Sequence, residues 1–342
     1  MRYRLMGKSG LRVSELCLGA MTFGTNWGWG SDETESRAVF DAFAEAGGTF
    51  IDTAYIYTDG ESERMVGEFV RSDRSHFVIS TKYGTMNKPD VTITGASRKA
   101  MRHAVDESLR RLGTDYIDLY WIHAWDVRTP VDELMRAMDD LVTAGKVLYI
   151  GVSNAPAWEI SRANMLAECR GWSAFIGLQT EYNLLERTAE RELLPMAHAL
   201  DLTVTAWSPL AQGILSGKYS KAAGGGAGRR SAALPDKRES AVAALVDEIA
   251  TELGVPTSAV ALAALRQLSP YESVIPLLGA RTVSQLRENL ACLDIILPAA
   301  RMTQLQEATA VKLGSPHDML ANDYMRSVTT GGAHDRLDNH RA

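Results

Sequence analysis

The sequence predicts an α/β fold in which eight parallel strands close into a (β/α)8 TIM barrel. Three observations predict it. Short apolar runs alternate with helical patterns along nearly the whole chain, the runs number eight, and they are rich in Ile, Val, Leu and Tyr. That is the look of strands covered on both faces. An open doubly wound sheet satisfies the alternation equally, and periodicity alone does not choose. The count of eight near-equal units favours the barrel, which needs about 250 residues and tolerates insertions.

The elements follow in order. Arg2–Arg12, polar and apolar in turn around Gly7 and Gly10, reads as a hairpin ahead of the barrel. Strands are expected at Leu16–Ala20, Phe50–Ala54, Phe77–Tyr83, Ile117–His123, Val147–Ser153, Phe175–Glu181, Thr203–Pro209 and Ser273–Gly279. Between them, apolar residues at three- and four-residue spacing predict helices at Glu33–Ala46, Ser62–Val70, Arg98–Leu112, Pro130–Ala144, Pro156–Cys169, Ala189–Leu200 and Thr282–Leu293. Ser31, Asp32, Thr129 and Ser153 are candidate N-caps, and Gly47, Gly113 and Gly145 candidate terminators. Extra helices, Ala241–Leu253 and Thr257–Leu268 among them, accompany the C-terminal part. Residues 1–312 are expected to form one catalytic domain, and 313–342 a polar, loosely held tail. The segment Lys221–Ser240, KAAGGGAGRRSAALPDKRES, breaks the rhythm. Its composition is that of a disordered insertion, while its glycines and arginines also suit a mobile flap over an anionic ligand.

Composition excludes several classes of function. A hydrophobic fraction of 46% and a charged fraction of 23% are globular values. The net charge of -6, with both signs interspersed and no basic stripe, argues against nucleic acid. No apolar run reaches the length of about 18 residues that spans a membrane. Cys17, Cys169 and Cys292 are far apart, odd in number and without a CxxC pair. That argues against a disulfide or metal framework and for a reducing compartment. With no recognisable signal peptide, a cytoplasmic location is expected.

Four polar residues stand at or just beyond the carboxyl ends of expected strands: Asp52 and Tyr57, Lys82, and His123. In a parallel barrel those ends converge on one face, where active sites lie. Taken singly, Asp52 can cap a turn, Tyr57 can be a loop aromatic, and His123 can be a satisfied core histidine. Lys82 is harder to dismiss, because lysine is almost never buried unless paired. Together they make chemical sense. Reducing a carbonyl requires hydride on carbon and a proton on oxygen. A tyrosine with a pKa of about 10 is a poor donor near neutrality. A nearby ammonium stabilises the phenolate, and a carboxylate holds that ammonium in place.

These residues sit in segments that resemble the aldo-keto reductase superfamily from roughly Arg2 to Leu293. LCLGAMTFG at Leu16–Gly24 resembles its first strand, FIDTAYIY at Phe50–Tyr57 its Asp-Thr-Ala-x-x-Tyr motif, STKYG at Ser80–Gly84 its lysine strand, and YIDLYWIHAWD at Tyr116–Asp126 its histidine strand. GVSN at Gly151–Asn154, QTEYNLL at Gln179–Leu185, SPLAQGILSGKY at Ser208–Tyr219 and IPLLGARTVSQLRENL at Ile275–Leu290 follow in the family's order. The last is similar to bacterial members and to the channel β-subunit-like branch. The resemblance implies Tyr57 as general acid, Lys82 and Asp52 as its tuners, and His123 as the residue orienting the carbonyl.

No GxGxxG opens a helix after a strand, which argues against a Rossmann domain. Yet no side chain supplies hydride. The resemblance implies an extended nicotinamide cofactor across the barrel's carboxyl face. Ser153, Asn154 and Gln179 would hold the carboxamide and Trp207 would stack on the ring. Ser208, Leu210, Gln212 and Gly213 would line the pyrophosphate with Lys218 beside them. Gly279, Arg281, Gln285, Glu288 and Asn289 would take the adenosine end, where free backbone N–H groups at a helix start favour phosphate. Arg281 suits a 2′-phosphate, so NADP(H) is expected over NAD(H). Arg229, Arg230 and Arg238 can also reach phosphate.

Loops after strands set specificity. Trp27, Trp29, Tyr83 and Trp125 predict an aromatic pocket for a small-molecule carbonyl substrate, with homo-oligomerisation possible. Two other readings compete. One is a slow NADP(H)-binding sensor of the channel β-subunit type, against which His123 argues, because asparagine is expected there. The other is a TIM-barrel enzyme without redox chemistry, which the Asp–Tyr–Lys–His set fits less well.

Overall fold

The structure is a computed structural model that describes residues 1–87, 90–218, 235–268 and 274–338. Strands β1 (Tyr3–Leu5) and β2 (Arg12–Ser14) form an antiparallel hairpin. The eight strands that follow are β3 (Cys17–Gly19), β4 (Phe50–Asp52), β5 (Val78–Tyr83), β6 (Ile117–Ile122), β7 (Val147–Ser153), β8 (Phe175–Glu181), β9 (Thr203–Trp207) and β10 (Val274–Leu278). Each pairs in parallel with its neighbours, and β10 pairs with both β9 and β3 to close the barrel. Closure, which periodicity left open, is thereby decided.

Side chains alternate along each strand, so parity sorts them. Cys17, Phe50, Val78, Leu119, Trp121 and Ile275 fill the barrel interior, together with Met6 and Val13 from the hairpin region. The interveners, such as Leu18, Ile51, Ile79, Tyr120 and Ile150, pack outward under the helices. Trp121 spans the interior because Gly151 and Gly177 leave it room. A Cβ on Gly151 would lie 2.3 Å from the indole, and one on Gly177 2.9 Å from it.

The helices are α1 (Glu33–Glu45), α2 (Glu61–Val70), α3 (Arg98–Leu112), α4 (Val131–Thr143), α5 (Ala157–Arg170), α6 (Leu193–Ala199), α7 (Lys237–Leu253), α8 (Thr257–Leu268), α9 (Val283–Leu290) and α10 (Ala299–Ala308). Asp32 caps α1 by accepting from the Glu35 N–H at 2.9 Å. Gly113 terminates α3 in the left-handed conformation. Gly47 and Gly145 follow α1 and α4 in the same way, each with positive φ, but the other N-cap expectations are corrected. The Ser31 hydroxyl donates to the Arg281 carbonyl instead. Thr129 and Ser153 lie too early, because α4 and α5 each start after a proline, Pro130 and Pro156, whose extended ψ sets the entry. The expected helix at Ala189–Leu200 shrinks to α6, since Pro195 lacks an N–H and is tolerated only in a first turn.

Of the segment expected to be a flexible insertion, residues 221–234 lie outside the described residues. Its end is ordered: Asp236 and Glu239 form a reciprocal capping box that opens α7, and Arg238 donates to the Leu185 carbonyl. Beyond α10 the polar tail includes two short exposed helices, α11 (His317–Leu320) and α12 (Asp323–Thr329). The chain before them is fastened where Arg187 donates to the Gln306 carbonyl and to Thr309 and Arg191 to the Lys312 carbonyl.

Candidate active site

Barrel register brings the expected catalytic residues to one level. Asp52 pairs with Ser80 across β4 and β5, and Lys82 with Trp121 across β5 and β6. Asp52, Ser80 and Lys82 share the inward parity of Phe50 and Val78. His123 follows Trp121 by two residues and opens onto the carboxyl end of the barrel.

Lys82 is fully buried and ion-paired with Asp52. Its ammonium also donates to the Thr53 carbonyl at 2.8 Å and to Tyr57 Oη at 3.2 Å. All three ammonium hydrogens therefore have acceptors. Burial would depress the lysine pKa, but the Asp52 charge and the contacts to Asp52 and Tyr57 outweigh it and raise the value. Asp52 is itself held by the Ser80 hydroxyl at 2.6 Å and the Gln179 amide at 3.3 Å. This is a buried ion pair with its hydrogen-bonding capacity used, the condition under which such a pair is tolerated.

Tyr57 reaches the ammonium from the turn after β4. Thr58, Asp59 and Gly60 all adopt positive φ there, and this corner turns the chain from Tyr57 into α2. The corner also anchors the loop after β3. The Glu61 carboxylate accepts from the Thr25 N–H at 3.0 Å, Asn26 donates to the Thr58 carbonyl at 3.1 Å, and Thr58 donates to the Phe23 carbonyl at 2.8 Å. As a result Trp27 stands edge-on to Tyr57, ring centroids 6.3 Å apart, with Trp29 tilted against Trp27. On the other side His123 meets Tyr57 edge-on at 5.8 Å. Burial first, and then the Lys82 charge, push the His123 pKa down to about 3, so the ring is neutral at neutral pH.

These groups open into a cavity of about 1040 Å³. Asp52, Tyr57, His123, Trp27 and Trp29 line it, and Lys82 lies buried behind Asp52 and Tyr57. All fourteen residues expected to contact a cofactor also line it: Ser153, Asn154, Gln179, Trp207, Ser208, Leu210, Gln212, Gly213, Lys218, Gly279, Arg281, Gln285, Glu288 and Asn289. Asn154 is fixed by donating to the His123 carbonyl at 2.9 Å and accepting from the Trp207 indole at 3.2 Å. The turn after β9 runs through positive φ at Ser208, Ala211, Gln212 and Gly213. Lys218 folds over Gly213, where a Cβ would lie 2.7 Å from its Nζ.

Three expectations are corrected. Tyr83 is fully buried and stacked on Tyr120 beneath the helices. It follows the inward-facing Lys82 by one residue, so strand parity sends it outward. Trp125 is half-buried against the core and is not among the lining residues. The N–H groups at the start of α9 are largely taken: Arg281 N–H by the Gln285 side chain, Val283 N–H by Glu35 and Gln285 N–H by Thr282. Sequence reasoning missed Ser80, which shares Lys82's parity, and Thr85, whose hydroxyl lies 2.9 Å from His123 Nδ1.

Comparison with known proteins agrees with this geometry. The aldo/keto reductase family model matches residues 15–310. An aryl-alcohol dehydrogenase of Pestalotiopsis microspora is 36% identical over 330 residues, covering 93% of this chain and 85% of that protein. Norsolorinic acid reductase B of Aspergillus parasiticus is 37% identical over 335 residues, 94% of this chain and 87% of that one. An NADP(+) aryl-alcohol dehydrogenase of Phanerodontia chrysosporium is 34% identical over 352 residues, 96% and 91%. A closed parallel barrel, a buried lysine reaching a tyrosine, and a match that covers nearly the whole chain lead to one conclusion: the chain belongs to the aldo/keto reductase family and is an oxidoreductase of that family.

Proposed function

We propose that this protein reduces an aromatic aldehyde or ketone to the alcohol with NADPH, and that Tyr57 is the general acid. The observation that carries the reading is the contact of Lys82 Nζ with Tyr57 Oη at 3.2 Å, backed by the buried Asp52. The ammonium donates to the phenol oxygen, which frees the phenol's own hydrogen for the cavity. It also stabilises the phenolate left after proton transfer, the requirement for a tyrosine acid near neutrality. His123, neutral and beside Tyr57, orients the carbonyl oxygen.

The lining fits an extended dinucleotide. The Ser153 hydroxyl, the Asn154 and Gln179 amides, the Trp207 indole and cationic Lys218 and Arg281 line the same cavity as the catalytic residues. Gly213 leaves the space that Lys218 Nζ occupies, and Gly279 faces open space. When bound, the nicotinamide supplies the hydride that no side chain can provide. Ser153, Asn154 and Gln179 hold its carboxamide, with Gln179 giving one amide hydrogen to Asp52 and keeping Oε1 and its second amide hydrogen for the cofactor. Trp207 covers the ring. Ser208, Leu210, Gln212 and Gly213 form the turn for the pyrophosphate, beside Lys218. Arg281 recognises the 2′-phosphate, and Gln285, Glu288 and Asn289 the adenosine. Trp27 and Trp29 supply the aromatic wall, and the names of the relatives support an aryl carbonyl or, in reverse, an aryl alcohol.

The test is NADPH oxidation at 340 nm with a panel of aryl and alkyl aldehydes, on wild type beside Tyr57→Phe. Wild-type turnover with aryl aldehydes and a loss of about 10²–10⁴ in kcat for Tyr57→Phe, with NADP+ affinity retained, are expected. Turnover that survives in Tyr57→Phe removes Tyr57 as the acid. Failure of wild type to bind NADP+ removes the cofactor assignment.

A further inference from the structure

Neutral imidazole has two tautomers, and the reading above works with only one. A histidine that orients a carbonyl must present an N–H to the oxygen, and a bare ring nitrogen would repel it. The partner of the other nitrogen decides which tautomer is held. Here that partner is Thr85, whose hydroxyl lies 2.9 Å from His123 Nδ1.

The two residues are fixed relative to each other by the backbone. The His123 N–H donates to the Tyr83 carbonyl at 2.9 Å, continuing the β5–β6 ladder. Gly84 then adopts φ 102, a value that favours glycine, and turns the chain so that Thr85 stands beside the imidazole at the cavity wall. A chain held this closely on both sides gives the hydroxyl a set place rather than a chance encounter.

Counting hydrogens selects the direction. Suppose Nδ1 carried the proton and donated to Thr85. The threonine hydrogen would then have no protein acceptor, since among the described residues neither Thr85 Oγ1 nor His123 Nε2 has a further partner, and Nε2 would offer the cavity only a lone pair. With the hydroxyl donating into Nδ1, its hydrogen is used and Nε2–H becomes the donor available to the cavity. Tyr57, whose oxygen accepts from Lys82, faces the same space with its own hydrogen.

We propose that Thr85 is a positioning residue: its hydroxyl donates to His123 Nδ1, holds the imidazole as the Nε2–H tautomer, and so sets a second donor beside Tyr57 for an incoming carbonyl oxygen. The inference rests on the reductase reading for its purpose, but the tautomer is a property of the protein without substrate and is measured separately.

The experiment is long-range 15N–1H correlation NMR on histidine-labelled protein at pH 7.5, with His123→Asn to assign the signal, on wild type, Thr85→Val and Thr85→Ser. Wild type and Thr85→Ser are expected to show His123 protonated at Nε2, and Thr85→Val a mixture of tautomers. In parallel, Thr85→Val is expected to lower kcat with an aryl aldehyde roughly tenfold, the worth of one hydrogen bond. Its NADP+ Kd should stay near wild type, which also shows that the barrel is folded, and Thr85→Ser should restore kcat. A wild-type His123 protonated at Nδ1, or a Thr85→Val protein with tautomer and kcat both unchanged, overturns the proposal. If the tautomers shift as expected while wild type reduces no carbonyl, the assignment of Thr85 to the tautomer stands and the reductase reading falls.

Discussion

Arg111, in the last turn of α3, donates its Nη1 to the carbonyl of Tyr55 at 2.8 Å and sets its Cζ over the Tyr55 ring, 4.3 Å from the centroid. The same nitrogen pairs with the fully buried Glu63 at 3.0 Å. Helix α3 thus pins the turn that presents Tyr57, two residues after the bonded carbonyl. Arg111→Met should leave Glu63 buried without its counter-charge and destabilise the protein by about 3–5 kcal/mol. Urea unfolding measures this, and kcat should fall with it because the Tyr57 turn is released. Gly60→Ala should resemble it in kind, since its φ is +90 and a Cβ would lie 2.5 Å from Arg111 Cζ.

Asp52→Ala removes the carboxylate from a lysine with no exposure to water. The expected cost is about 3–5 kcal/mol in urea unfolding, the cost of an uncompensated buried charge. Lys82→Met in the same background should recover much of it, because no charge then remains to be paired. Simple additivity of the two substitutions would contradict the coupling drawn from the geometry.

His123 makes stability depend on pH in a predictable direction. Its pKa falls from an ordinary 6.5 to about 3 in the folded protein, through burial and the Lys82 charge. Between these values the unfolded chain binds a proton that the folded one does not. Stability is therefore full above about 6.5 and declines as pH falls toward 3. In His123→Asn the unfolding free energy should fall less between pH 7 and pH 4.5 than in wild type. An equal fall in both proteins would show that the ring is not protected.

Trp121 occupies space that glycines concede. Gly151→Ala should destabilise by about 1–3 kcal/mol through overpacking, read as a lowered midpoint in thermal unfolding. Trp121→Leu should suppress the effect in the double variant, since the indole is the group that a new Cβ would strike.

The fold and most of the candidate site were legible because both follow local rules. The parity of a strand is written in its sequence: Asp52 stands two from Phe50, and Lys82 two from Ser80. The same rule places Tyr83 opposite Lys82, so its correction was available from parity alone. Thr85 was not legible. It lies past the strand end, and its approach to His123 depends on the positive φ of Gly84 and on the pairing of β5 with β6. The occupied N–H groups of α9 were likewise hidden, because Glu35 comes from α1, 248 residues away in sequence from Val283.

By itself the sequence determined the eight strand–helix units, the family motifs and the residue types that carry the chemistry, since spacing and composition act over a few residues at a time. Only the tertiary structure decided that the sheet closes and that one ammonium serves Asp52, Thr53 and Tyr57 together. It also decided which side chain partners His123 Nδ1. Hydrogen bonds depend on a few tenths of an ångström, and distances between separate strands and loops are set by packing of the whole barrel.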